Sequence, residues 1–287
     1  FFGTYYSNDM KPYEYYRNDK LAIEAPADQT QLTKILTDEI TDFIDENKDE
    51  PFFVYYPSPF PHFPVHASED FQGKSAGGEY GDCVEEIDWS VGVINDKLKD
   101  LGLEDNTLVI FTSDNGPWFE GSPGMHRGRK GNNFDGGQAV PMIAKWPGMI
   151  EPKREVDVMS MNIDFLPTIL DMIDAPFPED RVIDGKSILP LLKGETAKTP
   201  HAELLFVGPT TFFGVRDADN FKFVDRNRSE NAKYSTVKQG PFLFNLNHDK
   251  NESYDVSKLY PEKRKGLENS LISMQKSADE NPRGWVK

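Results

Sequence analysis

Residues 106–148 constrain this chain more than any other stretch. A run of apolar and β-branched residues, 107–112, stops abruptly at Ser113-Asp114-Asn115-Gly116. That pattern predicts a strand whose C-terminal end carries a carboxylate beside an amide oxygen. In open α/β sheets, ligands bind in the loops beyond the strand C-termini. A glycine-rich, basic loop follows, with His126, Arg127, Arg129 and Lys130 among Gly121, Gly124, Gly128, Gly131 and Gly136. A second apolar run, 139–146, predicts a strand that returns into the body. Hard oxygen donors facing fixed cations suit a divalent metal and an oxyanion. Asn-Gly is also a common turn dipeptide, so a turn beside a solvated basic loop stands as the alternative.

The flanking sequence alternates helix and strand signals. Leu32, Ile35, Leu36, Ile40, Phe43 and Ile44 mark one face of an amphipathic helix, with Asp28 or Thr30 as its cap. Residues 52–56 read as a short buried strand. It runs into Pro57-Ser58-Pro59-Phe60-Pro61-His62-Phe63-Pro64-Val65-His66, a stiff loop that delivers two histidines. After a loop at 67–79, Val84, Ile87, Val91, Ile94, Leu98 and Leu101 form a second helical stripe, closed by Gly102 as a C′ glycine. This order predicts an α/β fold with a mainly parallel sheet. Residues 1–27, rich in tyrosine around Ser7-Asn8-Asp9, read as a long loop whose rings pack over the core or line a cleft.

Beyond Gly148, a short helix is expected over 162–174, capped by Asp164, with Ile163, Leu166, Ile169, Leu170 and Ile173 inward. Another helical turn, 187–192, ends at Gly194. From His201 the texture changes to short strand candidates at 204–207, 212–216, 221–225 and 242–246, an antiparallel pattern, with a final helix over 260–276. A boundary near 195–200 divides the chain into domains at 1–197 and 198–287.

Composition narrows the function classes. A net charge of -16 argues against general nucleic-acid binding, although the basic cluster at 127–130 is compatible with a local anion site. The one cysteine, Cys83, excludes an intramolecular disulfide framework and is expected in the core of the second helix. No apolar run reaches the ~18 residues of a membrane span. The chain begins at Phe1 without an initiator methionine, so the lack of a visible leader is uninformative.

Several segments carry a resemblance: Pro51-Phe52-Phe53-Val54-Tyr55-Tyr56 leading to Pro61-His62-Phe63-Pro64; Tyr80-Gly81-Asp82 through Asp88-Trp89-Ser90-Val91-Gly92; residues 107–116; Arg127-Gly128-Arg129-Lys130-Gly131 with Phe134-Asp135-Gly136-Gly137; residues 141–148; Asp164-Phe165-Leu166-Pro167-Thr168; and Asp184-Gly185 through Leu189-Pro190-Leu191-Leu192. The segment from Phe242 to Glu252 looks like a closing strand and turn. In this order and spacing the chain resembles the C-terminal part of a type I sulfatase, of the arylsulfatase kind in the alkaline-phosphatase-like superfamily. The resemblance implies an α/β/α sandwich, incomplete here, with a small C-terminal antiparallel sheet plus helix.

By that resemblance Asp114 and Asn115 match the acid-amide pair that helps bind Ca2+, with two further carboxylates expected from upstream. Lys130 matches the lysine that contacts the sulfate group. His62 matches the histidine near the ester oxygen. These roles suit the chemistry of each group. His66, His126 and Arg127 are secondary substrate-binding candidates, and Arg127 and Arg129 hold either the loop or the substrate.

The family's nucleophile is a formylglycine made within a C-x-P-x-R motif, and no such motif occurs in residues 1–287. The family's Asp-Asp pair and Lys-x-His segment are absent too, and Phe1-Phe2-Gly3 resembles the segment just after the latter. The expectation is therefore the C-terminal portion of a longer enzyme, inactive by itself, whose parent cleaves a sulfated small molecule or sulfated polysaccharide. Phosphate or phosphonate ester hydrolysis and a non-catalytic binding relative are the alternatives. Family members are commonly periplasmic, secreted or lysosomal. Asn227-Arg228-Ser229 and Asn251-Glu252-Ser253 are formal glycosylation sequons.

Overall fold

The structure is a computed structural model that describes residues 1–207, 212–226 and 240–281. The chain packs as two compact units, Phe1–Leu108 with Trp146–Gly148, and Val109–Lys145 with Met149–Lys287. None of the described helices is long and apolar enough to cross a membrane.

In the first unit, strands β1 (Phe2–Gly3), β2 (Tyr15–Arg17) and β3 (Lys20–Ile23) form an antiparallel sheet in that order. Residues 1–27 are thus not simply a loop, as expected above. Strands this short present too few alternations for their period to register in sequence. Tyr13 and Tyr15 are buried, their hydroxyls 2.9 Å apart, whereas Tyr5 and Tyr6 are exposed.

Helices α1 (Leu32–Glu46) and α2 (Gly78–Asp100) stand where the stripes placed them, but each is rotated. On α1 the buried side chains are Leu32, Thr33, Leu36, Thr37, Thr41 and Ile44, and Phe43 is exposed. On α2 they are Asp82, Cys83, Glu86, Ile87, Ser90 and Leu98, and Val84 is exposed. The cause is polar. Thr37 Oγ1 donates to Thr33 O at 2.6 Å, which leaves the Ser90 hydroxyl to donate to it at 2.6 Å. Hydroxyls satisfied in this way lie in the interface at little cost, and a hydropathy stripe does not register them. Gly102 closes α2 as expected. Its φ is +69°, its N–H donates to Lys99 O, and Leu103 N–H donates to Leu98 O, which is a Schellman ending. Asp28 caps the 3-10 turn Gln29–Gln31 ahead of α1 rather than α1 itself.

Residues 52–56 have no regular secondary structure and join no sheet among the described residues, contrary to the expected strand. Exposure still alternates along them: Phe53 and Tyr55 are exposed, while Phe52, Val54 and Tyr56 are half-buried. The strand period is present and the hydrogen-bonded neighbour is not.

In the second unit, β4 (Val109–Thr112) and β5 (Met142–Lys145) pair antiparallel, from Val109 opposite Lys145 to Thr112 opposite Met142. Every ladder among the described residues is antiparallel, so the mainly parallel sheet is not found there. A parallel pair needs a long crossover, usually a helix, and the segment joining β4 to β5 holds only the one-turn helix α3 (Asp135–Gln138).

The expected helix at 162–174 is a 3-10 turn, Asn162–Asp164, running into α4 (Phe165–Met172). Its inner face is not the predicted one: Pro167 and Thr168 are buried, and Ile163, Leu166 and Ile173 are exposed. Asp164 turns the helix inward. It is fully buried and accepts from Met161 N–H, Lys186 N–H and His201 Nε2, the last at 2.7 Å. It therefore acts as a hub, not as a cap of α4. Helix α5 (Leu189–Lys193) ends at Gly194, φ +85°, as expected.

The C-terminal expectations hold. Strands β6 (Glu203–Val207), β7 (Phe212–Asp217), β8 (Phe221–Val224) and β9 (Phe242–Asn245) form an antiparallel sheet in chain order. Helix α6 (Pro261–Glu280) packs Leu267 and Leu271 against Val215, Phe223 and Leu243. Asn251 and Ser253 of one sequon are exposed, and the Asn227 sequon lies outside the described residues.

Candidate functional site

The acid-amide pair sits at the C-terminal end of β4, where Asp114 is exposed and Asn115 half-buried. Glycines decide what packs beside it. Gly116 N–H donates to Gly137 O at 3.0 Å, and Gly136 N–H donates to Arg127 O at 2.7 Å. A β-carbon on Gly116 would stand 2.0 Å from Gly136 O, and one on Gly136 would stand 2.3 Å from Gly128 O. Backbone thus lies directly on backbone, an approach only glycine permits. Lys130, between the left-handed Gly128 and Gly131, donates its N–H to Pro117 O at 2.9 Å. Asp114, Asn115 and Lys130 therefore belong to one loop assembly. Their side-chain polar atoms make no hydrogen bond or ion pair to another described residue.

The rest of the loop is tied down. Arg129 Nη1 donates to Trp118 O at 2.9 Å and to Gly121 O at 2.6 Å. The Arg127 guanidinium lies 4.0 Å from the Phe134 ring centroid and donates to Glu252 O at 2.8 Å, contacts that fit the loop-holding alternative. His126 is half-buried, with its Nδ1 enclosed and without a hydrogen-bond partner among the described residues. Below the loop lies a buried charge cluster: Lys222 Nζ is 2.6 Å from Asp135 Oδ1 and 2.8 Å from Glu252 Oε1, and Glu252 Oε2 accepts from Asp135 N–H. Burial, the largest influence, would by itself raise the Asp135 pKa, but the Lys222 ammonium, joined by Arg216 and His126, holds the carboxyl below its ordinary value. Burial pushes Glu252 the other way, above its ordinary value. Sequence reading found Asp135 as part of a motif but did not connect it to Lys222, which it missed, or to Glu252, which ends the 242–252 segment. They lie 87 and 117 residues further on, and nothing local links them to the loop.

His62 belongs to the first unit. Its Nδ1 lies 3.1 Å from Asn8 Oδ1 and 3.3 Å from Ser7 Oγ. Asn8 is buried and donates from Nδ2 to Pro64 O at 2.7 Å, so the proline loop and the histidine ring are gripped by one side chain. Asn8 and Ser7 were missed as functional candidates. The available signal was a polar triplet inside an aromatic segment. His66 is half-buried and meets Phe60 edge-on at 6.3 Å. Helix α2 anchors the chain just downstream: Asp82 accepts from Gly73, Lys74 and Ser75 N–H, and Glu86 accepts from Ser68 N–H. The backbone donors of Ser75 and Gly73 hold Asp82 below the ordinary carboxylate range. Between these carboxylates, burial pushes the Cys83 thiol up to about 12.

Asp114 and Asn115 supply hard oxygen donors, the kind Ca2+ takes. These two side chains, a carboxylate and an amide oxygen, fall short of the roughly 6–8 oxygens that Ca2+ requires. The described residues contain no cluster of three or more His, Cys, Asp or Glu able to hold a metal.

A sulfatase family model matches residues 1–175. The chain belongs to the sulfatase family. A second model, N-sulphoglucosamine sulphohydrolase, C-terminal, matches residues 130–277 of this sulfatase chain. Human steryl-sulfatase is 41% identical over 194 residues, covering 64% of this chain and 33% of the relative. A solved structure from glycosaminoglycan metabolism by Bacteroides thetaiotaomicron shares 27% identity at a TM-score of 0.79, over 90% of this chain and 57% of the other. A Pseudoalteromonas sp. sulfatase at 23% identity shows the same fold, with a TM-score of 0.83 over 96% and 59%. These neighbours carry the alkaline-phosphatase-like α/β fold, so the expected fold class holds. The sulfatase chain thus spans a third of the steryl-sulfatase and under three fifths of either structure.

Proposed function

We propose that the protein carrying this chain hydrolyses a sulfate ester. The observation that carries the reading is the glycine-packed loop, which presents Asp114, Asn115 and Lys130 with no partner of their own among the described residues. Lys130 is a compact fixed cation suited to a sulfate oxygen. Asp114 and Asn115 contribute a carboxylate and an amide oxygen to a calcium site whose remaining ligands lie outside this pair. Bound there, Ca2+ would offset the negative charge of the sulfate. His62 gives a proton to the leaving ester oxygen as charge develops on it. By family resemblance the attacking group is a formylglycine, and residues 1–287 contain no C-x-P-x-R motif to supply it. Sulfated sterols, small aryl sulfates and sulfated glycans are the substrate classes that the relatives' names suggest.

Sulfate release from 4-nitrophenyl sulfate, with calcium present, tests the reading on the formylglycine-bearing parent protein. Lys130→Ala and His62→Ala should each lower kcat/KM by about 100-fold or more, and Asp114→Ala should abolish calcium-dependent turnover. The 287-residue chain alone should release none. Parent-protein turnover of 4-nitrophenyl phosphate but not of the sulfate, or unchanged turnover in Lys130→Ala, would overturn the proposal.

A further inference from the structure

We infer that Asn8 is a positioning residue for His62: its buried amide fixes the imidazole in the tautomer protonated at Nδ1 and leaves Nε2 as the nitrogen available for chemistry. Asn8 is 2% exposed. Its Nδ2 lies 2.7 Å from Pro64 O, 3.3 Å from His62 O and 3.1 Å from Gln29 Oε1. The two carbonyls can only accept. Gln29 is itself oriented, because its Nε2 donates to Asn8 O at 3.1 Å and so turns Oε1 toward Asn8. Reversing the Asn8 amide would set its oxygen against three acceptors in a buried site. One orientation therefore remains, with Oδ1 facing His62 Nδ1 at 3.1 Å. An amide oxygen there requires a hydrogen on Nδ1, so His62 donates and Asn8 accepts. The Ser7 hydroxyl, 3.3 Å from the same nitrogen, rotates freely and selects neither tautomer.

With Nδ1–H held inward, proton exchange with a substrate runs through Nε2, and the same bond persists when the ring is fully protonated. The use of Nε2 on a sulfate ester rests on the proposed sulfatase reading; the tautomer does not.

Two readouts separate those claims. In the parent protein labelled with 15N-histidine, to which residues 1–287 contribute five histidines, the His62 signals are identified by their loss in His62→Gln. In the deprotonated ring, long-range 15N–1H spectra should show hydrogen on Nδ1 and none on Nε2. Asn8→Ala should lower the Nδ1–H fraction several-fold, whereas Ser7→Ala should leave it in place. An Nε2–H ring in the native protein overturns the inference, as does a tautomer that follows Ser7 instead of Asn8. If Asn8→Ala does not fold, the native and Ser7→Ala spectra still decide. In turnover by the parent protein, Asn8→Ala should reduce kcat by about 10- to 100-fold with little change in KM. If the tautomer is as inferred but His62→Ala turns over sulfate at the native rate, Asn8 still positions His62 and the catalytic role given to His62 falls.

Discussion

A β-carbon on Gly136 would meet Gly128 O at 2.3 Å and Arg127 O at 2.4 Å, both backbone atoms that no side-chain rotation relieves. Gly136→Ala should therefore push apart the two layers of the loop that carries Lys130. We expect a loss of about 1–3 kcal/mol in urea unfolding, the range for overpacking a tight site. Alanine at Gly92, where an added β-carbon meets nothing, is the control and should be neutral or better. The same scale explains why Arg127 and Lys130 differ despite standing three residues apart. The Arg127 guanidinium is spent on Phe134 and Glu252 O, while the Lys130 ammonium has no partner among the described residues.

Helix α2 shows how an element positions chain that it does not contain. Asp82 accepts backbone N–H groups of Ser75, Gly73 and Lys74, which lowers its pKa in the folded state. Protonation then favours the unfolded chain. The stabilisation is complete above the ordinary carboxylate value of about 4 and is lost as pH falls through the lowered folded value. Denaturant titrations between about pH 6 and about pH 3 should show native stability falling more steeply than that of Asp82→Asn, which has no carboxylate to titrate. Parallel slopes would assign the loop's anchoring to other groups. Helix α4 makes the complementary point, since a single buried carboxylate, Asp164, determined which of its faces turned inward.

At the scale of the molecule, the second unit is cross-linked by charge. Lys222 of β8 joins Asp135 beneath the glycine loop to Glu252 in the turn after β9, 87 and 30 residues away respectively. All three side chains are buried, so removing one leaves the others uncompensated. Lys222→Met should cost about 3–5 kcal/mol in equilibrium unfolding. Removing one carboxylate with it, by Asp135→Asn in the same chain, restores the cluster's native charge balance and should recover part of that loss. A Lys222→Met protein as stable as native would show that the cluster contributes no net stability. Through Asp135 N–H and the Arg127 contact, the cluster also ties the loop of Lys130 to the C-terminal sheet.

Sequence alone determined the elements whose signals are local. The helices at α1, α2, α5 and α6, the four C-terminal strands, and the glycines that end α2 and α5 all follow from periodicity and backbone freedom. The ordered motifs also determined the family, because each is a short run of neighbouring residues. Tertiary structure decided what depends on partners far along the chain. It set which faces of α1, α2 and α4 are buried, through hydroxyls and carboxylates that hydropathy counts as solvent-facing. It decided that β4 and β5 run antiparallel and that residues 52–56 pair with no described strand. It also brought Asn8 to His62 and Lys222 to Asp135. A buried polar group is stable only beside its complement, and chain topology, rather than the residue's neighbours in sequence, determines which complement it meets.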